Sequence, residues 1–229
     1  MKRKIIKTAD GSTTIHLEEW DEHYHSVHGA IQEAYHVFIK NGLAVFPRGG
    51  ISVLEIGFGT GLNAFITLLE AEKHKLKLNY TGVEAYPVSA EELQELNYVK
   101  ELEAGQQSHL FEKMHAVSWE ETHRISGEFV LTKRKQSFTD IEDKEKFNLV
   151  YFDAFGPRVQ PELWTEEIFS KMYTALKDGG VLVTYSAKGS VRRAMQAVGF
   201  TVERLPGPPG KREMLRATKH SMYLNAKGI

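Results

Sequence analysis

Ser52-Val-Leu-Glu-Ile-Gly-Phe-Gly-Thr-Gly-Leu-Asn63 is the stretch that decides the fold. An apolar, β-branched run halts at glycines 57, 59 and 61 and passes into residues 62–69, where the apolar side chains take up helical spacing. That order is strand, turn, helix. A glycine turn at such a junction lets the backbone approach a ligand with no Cβ in the way, and the helix beyond it presents free N–H groups at its positive end. A dinucleotide fingerprint needs its third small residue at position 62, but this chain has Leu62 there and sets its glycine one place earlier, at Gly61. A second short strand, Tyr80-Thr-Gly-Val-Glu84, ends in an acid 23 residues after Gly61. A carboxylate at that tip can accept hydrogen bonds from both hydroxyls of a ribose. Turn and acid together read as a nucleoside-cofactor site rather than as a bare tight turn.

Working outward, 229 residues with 41 % apolar content suit one sizeable α/β domain with an elaboration. Cysteine is absent, which leaves serine, histidine, acids or a cofactor to carry the chemistry. Basic Met1-Lys-Arg-Lys-Ile-Ile-Lys7 runs into polar Thr8-Ala-Asp-Gly-Ser12, unlike a secretory signal, and no run approaches eighteen apolar residues. The expected setting is cytoplasmic and away from membranes. Net charge is −1 but unevenly placed: from Gly180 onward nine Lys or Arg face two acids, a local +7 that leaves −8 on the first 179 residues. Such a basic quarter fits a phosphate-binding face or a solvated surface.

The pattern divides the chain into an N-terminal extension (1–48), a core (49–220) and a tail (221–229). In the extension, strands on either side of Asp10-Gly11 predict a hairpin, and residues 24–39 have the spacing of a helix. Five histidines before residue 37 raise a metal site, yet no metal-binding spacing accompanies them, and none is expected. In the core, strands are expected at 51–56, 79–84, 129–132, 147–153, 181–185, 200–205 and 214–218. Helices are expected at 62–74, from Ser89, at 106–115, at 165–177 before Asp178-Gly-Gly180, and at 190–198. Residues 133–146 read as a loop, and the last two strands as an antiparallel hairpin through Pro206-Gly-Pro-Pro-Gly210. The result is a doubly wound seven-stranded sheet whose ligands bind past the carboxyl ends of the strands, where Gly57, Glu84, Asp153 and Ser186 fall.

Glycines 57, 59 and 61 preceded by Glu55 resemble the turn that holds S-adenosylmethionine in Rossmann-like class I methyltransferases. Asp153-Ala-Phe-Gly-Pro157 lies where an acceptor would meet the methyl group. Transfer from a sulfonium to nitrogen needs a neutral amine aligned with the S–CH3 axis, so proximity carries most of the rate. Asp153 is a candidate to orient the amine and take up its proton, or a loop-start cap; Phe155 and Trp164 read as stacking rings or as core.

A closer resemblance rests on longer motifs. Gly57-Phe-Gly-Thr-Gly-Leu-Asn63, Asp153-Ala-Phe-x-Pro with Pro161-x-Leu-Trp164, Thr184-Tyr-Ser-Ala-Lys-Gly-x-Val-Arg-Arg193, Lys211-Arg-Glu-Met-Leu215 and Tyr24-His-Ser-x-x-Gly-Ala-x-x-Glu-Ala-x-His-Val-Phe38 resemble the methyltransferase domain of the MnmC-like tRNA-modifying enzymes. The resemblance implies S-adenosylmethionine-dependent methylation of the primary amine of 5-aminomethyl-(2-thio)uridine at the tRNA wobble position. With no second dinucleotide fingerprint before Ile229, it is closest to a stand-alone form without the flavin oxidase. It then needs neither FAD nor metal and receives its substrate from an upstream enzyme, as a monomer or weak dimer. The implied cofactor residues are Glu55, Gly57, Phe58, Gly59, Gly61, Asn63, Glu84 and Asp153, the catalytic residues Asp153 and Phe155. Tyr24, His25, Pro157, Ser186, Arg192, Arg193, Lys211 and Arg212 would bind tRNA. Where relatives carry a Gly-Asp contacting adenine, this chain has Lys133-Arg-Lys-Gln136, leaving Asp140 as a substitute if the loop folds back and the basic cluster as a second tRNA contact. Other readings are a methyltransferase of a different amine, a nicotinamide oxidoreductase and a catalytically silent RNA-binding module.

Overall fold

The computed structural model describes residues 2–220, so the expected tail at 221–229 lies outside the described residues. The Asp10-Gly11 turn joins β1 (Arg3–Lys7) to β2 (Thr13–Leu17) in antiparallel register, and β3 (Glu22–His23) adds a short third strand. The expected helix from residue 24 begins only at α1 (Ala30–Ala34), which widens into π-helical turns over Tyr35–Lys40. Asp10 is the reason. One carboxylate oxygen accepts from the Ser12 amide at 3.1 Å and closes the turn, while the other accepts from the Gln32 amide at 3.1 Å in the first turn of α1. Gly29 (φ +141°) passes so close beneath that carboxylate that a Cβ would lie 2.8 Å from it. The chain from Tyr24 to Gly29 is thereby left non-helical, free to lie across the rim of the main sheet.

The core alternates β4 (Gly50–Ile56), α2 (Leu62–His74), β5 (Lys77–Val83), α3 (Ala90–Gln94), α4 (Tyr98–Glu101), α5 (Ser108–Ala116), β6 (Thr122–Arg124), β7 (Phe129–Arg134), β8 (Phe147–Phe152), α6 (Glu166–Ala175), β9 (Leu176–Thr184), α7 (Gly189–Ala197), β10 (Thr201–Pro206) and β11 (Glu213–Thr218). The sheet runs β10-β11-β9-β8-β4-β5-β7-β6. Its five middle strands are parallel, and β10, β11 and β6 are antiparallel to their neighbours. The chain order reverses between β4 and β8, which opens a crevice at their carboxyl ends. Side chains of successive residues pack on opposite faces: Val53 and Tyr151 with Phe65 and Phe38 on one, Leu54, Val150 and Phe152 with Phe169 and Met195 on the other.

Three details differ from the sequence pattern. Eight strands form the sheet, not seven, because β6 lies at the edge with its ends exposed and no apolar alternation to announce it. Helix α6 stops at Ala175 because Leu176 is already buried in the sheet opposite Phe147; the next pair is Leu149 with Val181, so Asp178-Gly-Gly180 is a bulge inside β9. Strand β7 extends to Arg134, turning the expected basic loop inward. Lys133 is 2 % exposed, donates to the His115 carbonyl at 2.8 Å and lies 5.0 Å from the Trp119 ring centre. Burial pushes its ammonium down to about 8. Arg134 is paired with Asp143 at 2.6 Å, so neither cation is presented to RNA.

Candidate active site

The glycine turn after β4 is built from backbone conformations that a side chain would break. Gly57 has φ +89°, and a Cβ there would lie 2.7 Å from the Asp153 carbonyl. Gly59 (φ +50°) donates its amide to Glu84 Oε2 at 3.0 Å, and Glu84 Oε1 accepts from the Tyr86 amide at 2.9 Å. Each oxygen keeps acceptor capacity for a ribose hydroxyl. Gly61 (φ +74°) ends the turn at the start of α2, with His115 where its Cβ would be, and supports the loop from behind rather than lining the cavity. The Phe58 ring packs over Gly82, edge-on to Trp119, and is 3 % exposed.

Above the turn lies a cavity of about 580 Å³. At its nucleoside end are Glu84, Tyr86 and the loop after β7. That loop does fold back, bringing Ser137, Phe138 and Thr139 into the wall, but Asp140 stays outside and accepts from Thr139 Oγ1. Asp140, the expected substitute for the missing acid, is thus not a cavity residue, whereas Ser137, Phe138 and Thr139 are.

The acceptor end is acidic. Asn63, the second residue of α2, donates to Glu55 Oε1 at 3.0 Å and to Asp153 Oδ2 at 2.8 Å, joining two carboxyls across its amide. Glu55 is fully buried beneath the cavity floor, where desolvation raises its pKa well above the carboxylate range. Asp153 lines the cavity. Burial, and next the charge of Glu33, push it up to about 7 despite the opposing Asn63 hydrogen bond and Lys211 charge. Its carboxylate binds another element rather than capping its own loop. Phe155 also lines the cavity, edge-on to Tyr24 at 5.1 Å and Trp20 at 5.8 Å, whereas Trp164 is core, 5 % exposed, with its indole N–H on the Phe155 carbonyl at 2.8 Å. His25 meets Thr14 Oγ1 at 3.1 Å, and desolvation lowers it to about 4.

The N-terminal sheet roofs this end. Arg3 fastens it beyond β5 through the Tyr86 carbonyl and Glu92, and Arg158 fastens it beyond β8 through the Trp20 and Asp21 carbonyls and Glu22. Outside the roof a groove of about 480 Å³ is lined by Pro157, Ser186, Lys188 and Arg212, with Lys211 at its boundary with the cavity. Arg192 and Arg193 on α7 line neither space.

Part of the local +7 is neutralised within the fold. Lys211 pairs with Glu33, Arg204 with Glu213 at 3.7 Å and Arg216 with Glu203 at 3.0 Å, while Lys219 is buried on the Leu176 carbonyl. Of the expected tRNA residues Tyr24, His25 and Lys211 face the cavity, Pro157, Ser186 and Arg212 the groove. His16 and His23 stack at 4.4 Å, and among the described residues no group of three or more His, Asp or Glu is placed to hold a metal.

Sequence reasoning missed Glu33 and Tyr185 as cavity residues. Glu33 follows the non-helical Tyr24–Gly29 segment in α1, and Tyr185, just past β9, donates its hydroxyl to the Ala154 carbonyl at 2.8 Å. Both stand in the quoted motifs, which were the available signal.

Residues 97–220, more than half of the chain, match the family described as S-adenosyl-L-methionine-dependent methyltransferase. The chain belongs to that family. Among curated relatives, the tRNA 5-methylaminomethyl-2-thiouridine biosynthesis bifunctional protein MnmC of Leptospira borgpetersenii is 31 % identical over 218 residues, covering 90 % of this chain and 33 % of the relative. Its namesake in Idiomarina loihiensis is 29 % identical over 86 % of this chain and 35 % of the relative. The chain thus spans about a third of the length of the curated relatives it matches. Among solved structures, MNMC2 from Aquifex aeolicus superposes with a TM-score of 0.76 at 25 % identity, covering 99 % of this chain and 74 % of that one. Spermidine synthase from Thermotoga maritima (TM-score 0.58, 18 % identity, 95 % of this chain and 69 % of that one) shares the fold. The methyltransferase uses S-adenosylmethionine, which sets aside the nicotinamide reading that Leu62 already opposed.

Proposed function

We propose that this methyltransferase transfers a methyl group to the primary amine of 5-aminomethyl-(2-thio)uridine at the tRNA wobble position. The observation that carries the reading is the composition of the acceptor end: Asp153 and Glu33 carboxylates beside the Tyr185 and Phe155 rings, with a groove bearing Lys188 and Arg212 outside. Carboxylates and ring faces suit an ammonium on a flat base, and exposed cations suit the phosphates around it. The MnmC relative carries tRNA 5-methylaminomethyl-2-thiouridine biosynthesis in its name.

The cofactor, when bound, supplies an electrophilic methyl on a sulfonium. Glu84 would accept hydrogen bonds from the ribose hydroxyls, the glycine turn would admit the nucleoside against bare backbone, and Ser137–Thr139 would border the base. Glu55 acts through Asn63, which holds Asp153 at the floor. Asp153 hydrogen-bonds the acceptor amine, orients its lone pair and takes its proton at Oδ. Phe155 and Tyr24 wall the base, His25 borders the roof, and Pro157, Ser186 and Arg212 guide the strand, with Arg192 and Arg193 further along α7. Proximity then does most of the work, with no call on flavin or metal. The protein acts in the cytoplasm as a monomer or weak dimer, downstream of an enzyme that installs the aminomethyl group.

The test is direct. Purified protein and S-adenosylmethionine are incubated with tRNA bearing 5-aminomethyluridine, and digested nucleosides are weighed by mass spectrometry. One methyl gained on that uridine is expected; its absence ends the proposal.

A further inference from the structure

The Lys211 ammonium occupies an unusual place for a residue in a Gly/Pro-rich hairpin. It turns inward from the β10–β11 connection, pairs with the buried Glu33, lies 4.5 Å from the Tyr185 ring centre and exerts its charge on Asp153. A carboxylate in contact, an aromatic face and the charge of a second carboxylate nearby together suit a primary alkylammonium. It lies inside the cavity, on the acceptor side of the glycine turn.

We propose that Lys211 is a displaceable stand-in for the acceptor: its ammonium fills the subsite that the protonated aminomethyl group of the substrate takes over, and an RNA phosphate draws the lysine into the outer groove as the base enters. The inference rests on the acceptor being an amine, as proposed above. It deepens that reading by assigning Glu33 and Tyr185 as the ammonium subsite and Lys211 as its gate. Removing Lys211 alone would leave the buried Glu33 carboxylate with the Ser26 amide but without its paired cation, which is unfavourable; exchange of one ammonium for another avoids that state. Lys211 borders both the cavity and the groove that holds Lys188 and Arg212, so a short swing moves it from a carboxylate to a phosphate. A free small amine brings no phosphate and must compete with the lysine unaided. An amine on RNA brings both groups at once, and the gate selects it.

Benzylammonium chloride is the probe, an aminomethyl group on a flat ring without sugar or phosphate, with benzyl alcohol as its uncharged control. Binding is measured by calorimetry on the full chain saturated with S-adenosylhomocysteine. Lys211→Met is expected to bind benzylammonium about tenfold more tightly than the unaltered protein, because the competing occupant is gone. Lys211→Met combined with Glu33→Gln loses that gain, and benzyl alcohol shows no difference. Unchanged or weaker benzylammonium binding by Lys211→Met, or a gain that survives Glu33→Gln, overturns the proposal. Because the substitutions could disturb folding, a second measurement uses the unaltered protein. Crystals soaked in benzylammonium chloride should show the ammonium on Glu33 with Lys211 swung outward; an ammonium bound elsewhere with Lys211 in place refutes the gate. Failure of tRNA methylation leaves these readouts intact, and a methylated tRNA with benzylammonium indifferent to Lys211 sinks this inference alone.

Discussion

Removing the Asn63 amide should shift the pH at which the enzyme begins to work. Asn63 is the shared donor of Glu55 and Asp153, and its 2.8 Å bond to Asp153 is one of the influences holding that carboxyl near 7 against burial and the Glu33 charge. A hydrogen bond to a charged group is worth about 1.5–3 kcal/mol, and a pKa unit corresponds to about 1.4 kcal/mol, so its loss in Asn63→Ala raises Asp153 by about one to two units. In its proposed role as proton acceptor Asp153 must be ionised, so activity rises with pH through its pKa. The rising limb of kcat/KM therefore moves from near neutrality to about pH 8–9. Any titration of the substrate amine is common to both proteins, so the difference between the two profiles belongs to the enzyme. The assay is initial-rate methyl transfer from pH 6 to 10, with S-adenosylhomocysteine affinity measured alongside to show that the turn is intact. Coincident limbs, or a limb moved to lower pH, would refute the reasoning.

Four further outcomes are expected. Asp153→Asn should abolish transfer yet raise the melting temperature at pH 8: a carboxyl whose folded pKa is raised penalises the fold once pH exceeds its unfolded value of about 4, fully so above about 7, and the gain over the parent should vanish at pH 3.5. Gly57→Ala introduces a Cβ at positive φ, 2.7 Å from a carbonyl, and should cost about 1–3 kcal/mol of stability by denaturant titration together with cofactor binding. Glu84→Ala removes the acceptor of the Gly59 and Tyr86 amides and should weaken S-adenosylhomocysteine in calorimetry while leaving benzylammonium binding unchanged. Lys188→Ala with Arg212→Ala should weaken tRNA binding uniformly and lower the slope of log K against log salt by about two, whereas Lys133→Met should leave that slope unchanged because its ammonium is internal.

What could be read from sequence was local. The glycine turn, Glu84 at the tip of β5 and Asp153 at the tip of β8 announce themselves because each is fixed by its own strand and by chirality-limited backbone, and strand ends in a parallel sheet share one rim. What could not be read depends on partners far along the chain. Helical periodicity runs through residues 24–39, but Asp10 decides where α1 starts, so the segment that roofs the cavity was hidden inside a helix pattern. Lys133 looks basic and solvated until β7 carries it under Trp119. Lys211 and Glu33 are 178 residues apart, and the local +7 could not reveal that Lys211 turns to an acid from the first half of the chain while Arg204 and Arg216 pair within the hairpin.

That pairing shows how the proposed polyanionic substrate can be reconciled with so acidic a cavity. Glu33, Glu84 and Asp153 face a single space, and Asp153 already responds to the nearby Glu33 charge. Such a cluster lowers its free energy by admitting positive charge, which a sulfonium at the floor and an ammonium at the acceptor end both provide. The same field repels phosphates. The cations that meet them must therefore lie outside the cavity mouth, where Lys188 and Arg212 are exposed. In the proposed reaction only the base and its amine enter the cavity that Phe155 and Tyr185 line, and the backbone that carries them stays in the groove. Charge is thereby sorted by depth, and a residue at the boundary, Lys211, is the one that can answer to both layers.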